Sequence, residues 1–230
     1  MPNHQSDLTI IICCKNEGAG IQLILDSLES YRDDIIVIDG NSNDGTEETV
    51  RNFGATFLLD HGLGRGDAVK IGIEHAKGDV LVFFDADGSH EASDIPGLVS
   101  PIITDGADLV IGSRRTGGSF DITANFTGII RSAGCDVLVG ILNHRFGTSL
   151  TDILYSFRAI RSSAARQLEL RSNGFGIEQE MVVECLARHL KVIEVPSREK
   201  ARQWGTSKLH TLEGIKFFLS LLRSLYLRKR

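Results

Sequence analysis

The chain has 230 residues, of which 42% are hydrophobic and 24% charged, with a formal net charge of −5. Those values belong to a folded globular chain able to bury one domain-sized core, and they exclude a disordered polyelectrolyte. The acidic balance gives no general case for binding nucleic acid.

Leu8 to Cys14 is an apolar run, which predicts a first strand, and Lys15-Asn-Glu-Gly-Ala-Gly20 is the loop after it. Ile21, Ile24, Leu25, Leu28 and Tyr31 recur at helical spacing. Ile35 to Ile38 reads as strand two and runs into Asp39-Gly-Asn-Ser-Asn-Asp44-Gly-Thr46, a segment dense in turn and cap residues. A short helix over Glu47 to Phe53 and a third strand over Ala55 to Leu59 follow. The glycine loop Gly62–Gly66 precedes a helix from Asp67 to Ala76, and Asp79 to Phe84 is strand four. A helix over Ser93 to Ile103 leads to strand five, Asp108 to Ile111, which ends in Gly112-Ser-Arg114. Beyond it the pattern predicts helices over Thr123–Phe146, Ser163–Leu170, Ile177–Leu190 and Thr211–Leu227. Further strands are expected over Asp152–Ile160 and Val192–Val195.

Strands alternating with helices predict an α/β fold with a doubly wound, mostly parallel sheet. Ligands of such sheets bind outside the carboxyl ends of the strands. The polar clusters Lys15–Glu17, Asp39–Asp44, Asp85–Asp87 and Ser113–Arg115 each follow a strand, so four loops converge on one edge. Among them Asp85-Ala86-Asp87 stands out, because two like charges one residue apart repel unless a positive group lies between them. A divalent cation carrying a diphosphate answers that need; a polar turn after a strand is the plainer reading. The glycine loop lacks the Gly-Lys-Ser/Thr of a phosphate loop, and no Gly-x-Gly-x-x-Gly follows strand one.

Cys13, Cys14, Cys135 and Cys185 form no paired spacing and read as buried thiols of a reducing cytosol. The first seven residues carry no signal-peptide core, and no apolar run reaches the roughly 20 residues of a membrane span. Residues 198–230 hold nine Lys and Arg against Glu199 and Glu213, a local +7 that leaves −12 on the remainder. Ile215, Phe218, Leu219, Leu222, Leu225 and Tyr226 make one apolar stripe on that basic terminal helix. Such a helix lies at an anionic membrane surface, or docks on its own domain or on a second subunit. The expected organisation is therefore a catalytic domain over 1–209 and an amphipathic helix over 210–230.

These motifs, in this order, resemble the family-2 glycosyltransferases of the glycosyltransferase A fold, and within them the polyprenyl-phosphate or dolichol-phosphate sugar transferases. Cys13-Cys-Lys-Asn16-Glu17 is similar to the family's Pro-x-x-Asn-Glu, and Asp39 to Thr46 to its Asp-Asp-x-Ser-x-Asp-Gly-Thr. Asp85-Ala-Asp87, Gly112-Ser-Arg114, Thr151-Asp152 with Phe157-Arg158, and Arg202-x-x-Gly205-x-Ser207-Lys208 complete the likeness. It spans about Leu8 to Leu209.

The resemblance implies a metal-dependent, inverting hexosyl transfer from a GDP- or UDP-hexose to a lipid phosphate. Mg²⁺ or Mn²⁺ would sit on Asp85 and Asp87, with His90 as a further ligand. Cys13, Lys15, Glu17, Asp39, Gly40, Asp67, Ala86, Arg114, Arg202 and Lys208 would join Asp85 around the nucleotide sugar. Asp87, Arg114 and Arg131 would carry catalysis, with Arg131 toward the acceptor phosphate. Glu178 and Glu180 are the acids nearest the family's general-base region, two apart on a predicted helix. The chain departs from the pattern at Gly40, where the family often has an aspartate that reads the base, and at Cys13, where it has proline. The implied setting is the cytoplasmic face of a membrane, with peripheral contact and a homo-oligomer as further expectations. Transfer to a soluble acceptor is the alternative within the class. A sugar-nucleotide nucleotidyltransferase and a non-catalytic sugar-nucleotide-binding module are the alternatives outside it.

Overall fold

Seven strands form one sheet in the order β3-β2-β1-β4-β6-β5-β7. They are β1 Leu8–Cys14, β2 Ile35–Asp39, β3 Thr56–Leu59, β4 Val80–Asp85, β5 Leu109–Ser113, β6 Arg158–Arg161 and β7 Val192–Pro196. The computed structural model describes residues 8–119 and 126–204, and side chains throughout these except in 126–133. Lys208 and the helix expected over Thr211–Leu227 therefore lie outside the described residues.

The α-helices longer than one turn are α1 Ile21–Ser27, α2 Thr46–Phe53, α3 Arg65–His75, α4 Ile95–Thr104, α5 Phe126–Phe146 and α6 Ile177–Ala187. Alternate residues of each central strand feed two cores. Ile11, Ile38, Leu81, Phe83 and Ile111 pack with α3, α5 and α6, while Ile10, Ile12, Val37, Val82, Phe84 and Val110 pack with α1, α2 and α4. Helices on both faces explain why the strands read as continuous apolar runs rather than alternating ones. No helix among the described residues is long and apolar enough to cross a membrane.

β1 pairs in parallel with both β2 and β4, so the strand order reverses direction between β1 and β4. This is the position where open α/β sheets open a crevice for ligands. The register sets Asp39 beside Cys14 and Cys13 beside Asp85 at that carboxyl edge.

Three expected elements come out at about two thirds of their expected length or less. The first helix stops at Ser27, and a 3₁₀ segment, Glu29–Asp34, carries the chain into β2. The helix expected over Ser163–Leu170 is one turn, Ser162–Ala165. The strand expected over Asp152–Ile160 begins only at Arg158 and runs antiparallel between β4 and β5. Its first part is irregular because polar side chains claim the backbone there. Glu194 on β7 accepts the N–H groups of Thr151 and Asp152 at 2.8 and 2.6 Å, and Asp152 accepts the N–H of Leu154. An antiparallel strand brings its preceding loop, rather than its following one, to the carboxyl edge of β4, so residues 152–157 cross the crevice.

Candidate active site

Asp85 ends β4, and Asp87 follows on a turn whose Gly88 has φ +78°. Asp87 is held by its own turn, accepting the N–H of Ser89 at 3.0 Å and its hydroxyl at 2.6 Å. Asp85 accepts the Ser156 hydroxyl at 2.5 Å. Each carboxylate also faces a guanidinium: Arg65 Nη2 lies 2.7 Å from Asp85 Oδ1, and Arg202 Nη2 lies 2.7 Å from Asp87 Oδ2. Burial alone would raise the Asp85 pKa, but Arg65 first and then His90 and Ser156 bring it well below the ordinary carboxylate range.

Arg65 comes from the glycine loop after β3. A Cβ on Gly66 would fall 2.3 Å from the Ser172 carbonyl oxygen, so only glycine allows that approach, and the Gly66 N–H donates to the Asn173 carbonyl at 2.8 Å. Arg202 comes from the segment after β7, which lies across the Asp85–Ser89 turn. The N–H groups of Lys200 and Gln203 donate to the carbonyls of Ser89 and Asp87 at 3.0 Å each, and Trp204 Nε1 donates to the Ala86 carbonyl at 2.8 Å. Trp204 fits because residue 20 is glycine: a Cβ there would sit 1.8 Å from the indole.

The other sequence candidates fall into three groups. Cys13, Lys15, Gly40 and Glu17 line the same edge. Burial pushes the Cys13 thiol up to about 12, so it stays protonated at neutral pH. The stem of Lys15 covers Gly40, where a Cβ would lie 3.1 Å from Lys15 Cδ, and Glu17 is buried with Arg202 Nη1 3.9 Å from its Oε1.

A second group braces the edge from behind. Asp39 accepts the N–H of Ser42 at 2.7 Å and its hydroxyl at 2.5 Å, with Cys14 Sγ at 3.4 Å. Ser42 Oγ in turn accepts the N–H of Asn16 at 2.7 Å, which ties the first two loops together. Asp67 holds the His61 N–H at 2.8 Å and its ring nitrogen at 3.1 Å. His90, offered by the sequence as a metal ligand, is stacked on Phe157 at 4.5 Å with its side chain wholly buried. Its Nδ1 accepts the Asp85 N–H at 3.0 Å, and its Nε2 lies 3.3 Å from Ser156 Oγ and 3.6 Å from Asp85 Oδ2. Nδ1 is thereby committed to the β4 backbone, while Nε2 stays beside Asp85. Among the described residues no group of three His, Cys, Asp or Glu is arranged to hold a metal.

Arg114 forms the third group. It donates to Asp152 through Nε at 2.7 Å and Nη2 at 3.1 Å, to Glu199 at 3.3 Å, and lies over the Tyr155 ring at 4.9 Å. These bonds tie the guanidinium to the 152–155 loop and to Glu199. The side chain of Arg131, on α5, is outside the described residues.

Sequence reasoning gave no role to Arg65 or Ser156, and named Arg158 only as part of a motif. Arg158 is fully buried and donates to the carbonyls of Tyr155, Ile153 and Glu178, so it ties the 153–155 segment to the start of α6. Arg65 had a signal: its loop follows a parallel strand and so leads to the same edge as the others.

Residues 9–168 match the model of glycosyl transferase family 2. The chain belongs to that family. The expected enzyme class, a glycosyltransferase, is thus the family's own. A glycosyltransferase of Haloferax volcanii, AglJ, is 33% identical over 80% of this chain, which spans 61% of that protein's length. An undecaprenyl-phosphate mannosyltransferase of Micrococcus luteus is 31% identical over 86% of both chains. The fold is similar to that of glucosyl-3-phosphoglycerate synthase of Mycobacterium tuberculosis, solved with Mg²⁺ and UDP. The TM-score is 0.77 at 20% identity, over 97% of this chain and 81% of that one. This likeness confirms the fold expected from the glycosyltransferase A resemblance.

Proposed function

We propose that the chain transfers a hexose, with inversion, from a nucleotide diphosphate sugar to a polyprenyl phosphate, with Mg²⁺ or Mn²⁺ as cofactor. The observation that carries this reading is the pair Asp85 and Asp87 at the reversal of strand order, each drawing a guanidinium to 2.7 Å. Positive charge is favoured at such a seat, and two hard carboxylates leave the remaining positions of a hard cation to diphosphate oxygens and water. The solved neighbour, crystallised with Mn²⁺ and UDP, supports this cofactor class. Bound there, the ion supplies Lewis acidity that stabilises the leaving diphosphate.

On the protein side, Asp85 and Asp87 fix the donor end, and Arg202 stands next to them to face its phosphates. Lys15 and Gly40 border the place for the nucleoside, with Asp39 bracing their loops from behind. In the transfer the bond from the anomeric carbon to the diphosphate oxygen breaks as an acceptor phosphate oxygen bonds to the opposite face. That oxygen is already anionic, so no base has to remove a proton.

The acids near the seat are consistent with such an acceptor. Glu178 accepts Arg65 at 2.6 Å, Glu180 accepts the N–H groups of Arg171 and Ser172, and Glu199 holds Arg114 and Ser119. The name of the Micrococcus relative supports the same acceptor class. The basic residues of 198–230 are consistent with a peripheral site on an anionic membrane face.

A second reading, transfer to a soluble phosphorylated acid, is favoured by the fold of glucosyl-3-phosphoglycerate synthase, also crystallised with phosphoglyceric acid. The test offers labelled UDP- and GDP-hexoses with Mn²⁺ to undecaprenyl phosphate in detergent and, separately, to phosphoglyceric acid. Label in the organic phase supports the lipid acceptor. Label only in the phosphorylated acid overturns it in favour of the second reading.

A further inference from the structure

Both carboxylates of the cation seat have an arginine on them, and each arginine has a second acid within reach. Arg65 bridges Asp85 at 2.7 Å and Glu178 at 2.6 Å. Arg202 lies 2.7 Å from Asp87 and 3.9 Å from Glu17. The backbone on either side is fixed: Gly66 is pinned to Asn173, and Gln203 and Trp204 are pinned to the Asp85–Ser89 turn. Only the side chains are left to move. Burial alone would lower the Arg65 pKa, but Asp85 and Glu178 more than reverse this, so the group is a permanent cation.

A buried guanidinium stripped of its carboxylate is strongly destabilising. A cation arriving on Asp85 would impose that cost if Arg65 had no other acid. Glu178 removes it, because the contact of Arg65 Nε with Glu178 survives when the Nη2 contact with Asp85 is given up.

We infer that Arg65 and Arg202 are resident counter-ions of the cation seat, and that Glu178 is the positioning residue that receives Arg65 when a divalent ion takes Asp85. The seat thereby holds a cation alone only weakly and gains affinity when a diphosphate arrives to share the arginines. This deepens the reading of Asp85 and Asp87 as a cation seat and rests on it.

Two substitutions move the balance in opposite directions. Arg65→Met removes the competing charge and leaves Asp85 and Glu178 to the ion, so Mn²⁺ binding without nucleotide tightens about tenfold or more. Glu178→Gln removes the receiving acid, commits Arg65 to Asp85 and weakens Mn²⁺ binding without nucleotide, again by about tenfold. Free Mn²⁺ measured by electron paramagnetic resonance, with and without UDP or GDP, gives both values without reference to turnover.

Opposite shifts support the inference. Shifts of the same sign, or none in either variant, overturn it while leaving the seat intact. Wild-type protein that binds no Mn²⁺ even with a nucleoside diphosphate overturns the seat and the inference together. If Arg65→Met fails to fold, Glu178→Gln alone decides: unchanged or tighter Mn²⁺ binding contradicts the account.

Discussion

Asp152 is one carboxylate with the work of holding a loop. Burial by itself would raise its pKa, and the Arg114 charge and hydrogen bonds outweigh that, so its folded value lies below the ordinary 3.8. A depressed acid contributes stability that is complete above its unfolded pKa and is lost as pH falls through the folded one. Asp152→Asn is therefore expected to cost about 3 kcal/mol at pH 7. The difference from wild type should shrink as pH drops below about 4. Urea unfolding at the two pH values checks this; an equal difference at both contradicts the assignment. Thiol chemistry gives a second check. Cys13 and Cys185 are both pushed up to about 12 by burial, so neither should react with iodoacetamide in native protein at pH 8, and both should react in urea. Among the residues, Asp85 and Asp87 were legible because they end an unbroken apolar run. The ties of Arg65 were not, since its acids lie 20 and 113 positions away and only the sheet brings them together.

Loops after strands are the elements that build the site, and two glycines set how closely they pack. Gly66→Ala would drive a Cβ to 2.3 Å from the Ser172 carbonyl, a backbone atom that cannot swing aside. A cost of about 1–3 kcal/mol is expected, with a larger loss of donor affinity because Arg65 shifts with the loop. Gly20→Ala should expel the indole of Trp204, the sole tryptophan of the chain. Its emission then moves to the red and nucleotide affinity falls; an unchanged spectrum would show that the 200–204 segment is not seated on the Asp85–Ser89 turn. Strands β1, β2, β4 and β5 were visible in the sequence because burial on both faces leaves continuous apolar runs. β6 was not bounded correctly, because Asp152–Phe157 carries the same residue types while Glu194 diverts its backbone from the ladder.

At the scale of the whole molecule, one reversal of strand order organises the rest. β2 and β3 lie on one side of β1, β4 and the later strands on the other, and Asp85 sits at the carboxyl edge of that boundary. The parallel loops could be placed there from the sequence alternation alone. The loop before β6 could not, since its arrival depends on an antiparallel insertion that no periodicity marks, while the loop after β7 arrives through that strand's parallel pairing with β5. They bring Ser156 to Asp85 and Arg202 to Asp87, so the later third of the described chain completes a seat that the first half begins.

The central claim is that this seat holds the ion serving the donor diphosphate. It is tested most directly by the rate of hexose transfer in wild type with Mn²⁺, in wild type with EDTA, and in Asp87→Asn with Mn²⁺. The account predicts loss with EDTA, recovery on adding Mn²⁺, and a fall of about 100-fold or more for Asp87→Asn. Transfer that persists in EDTA, or an Asp87→Asn enzyme as fast as wild type, would contradict it.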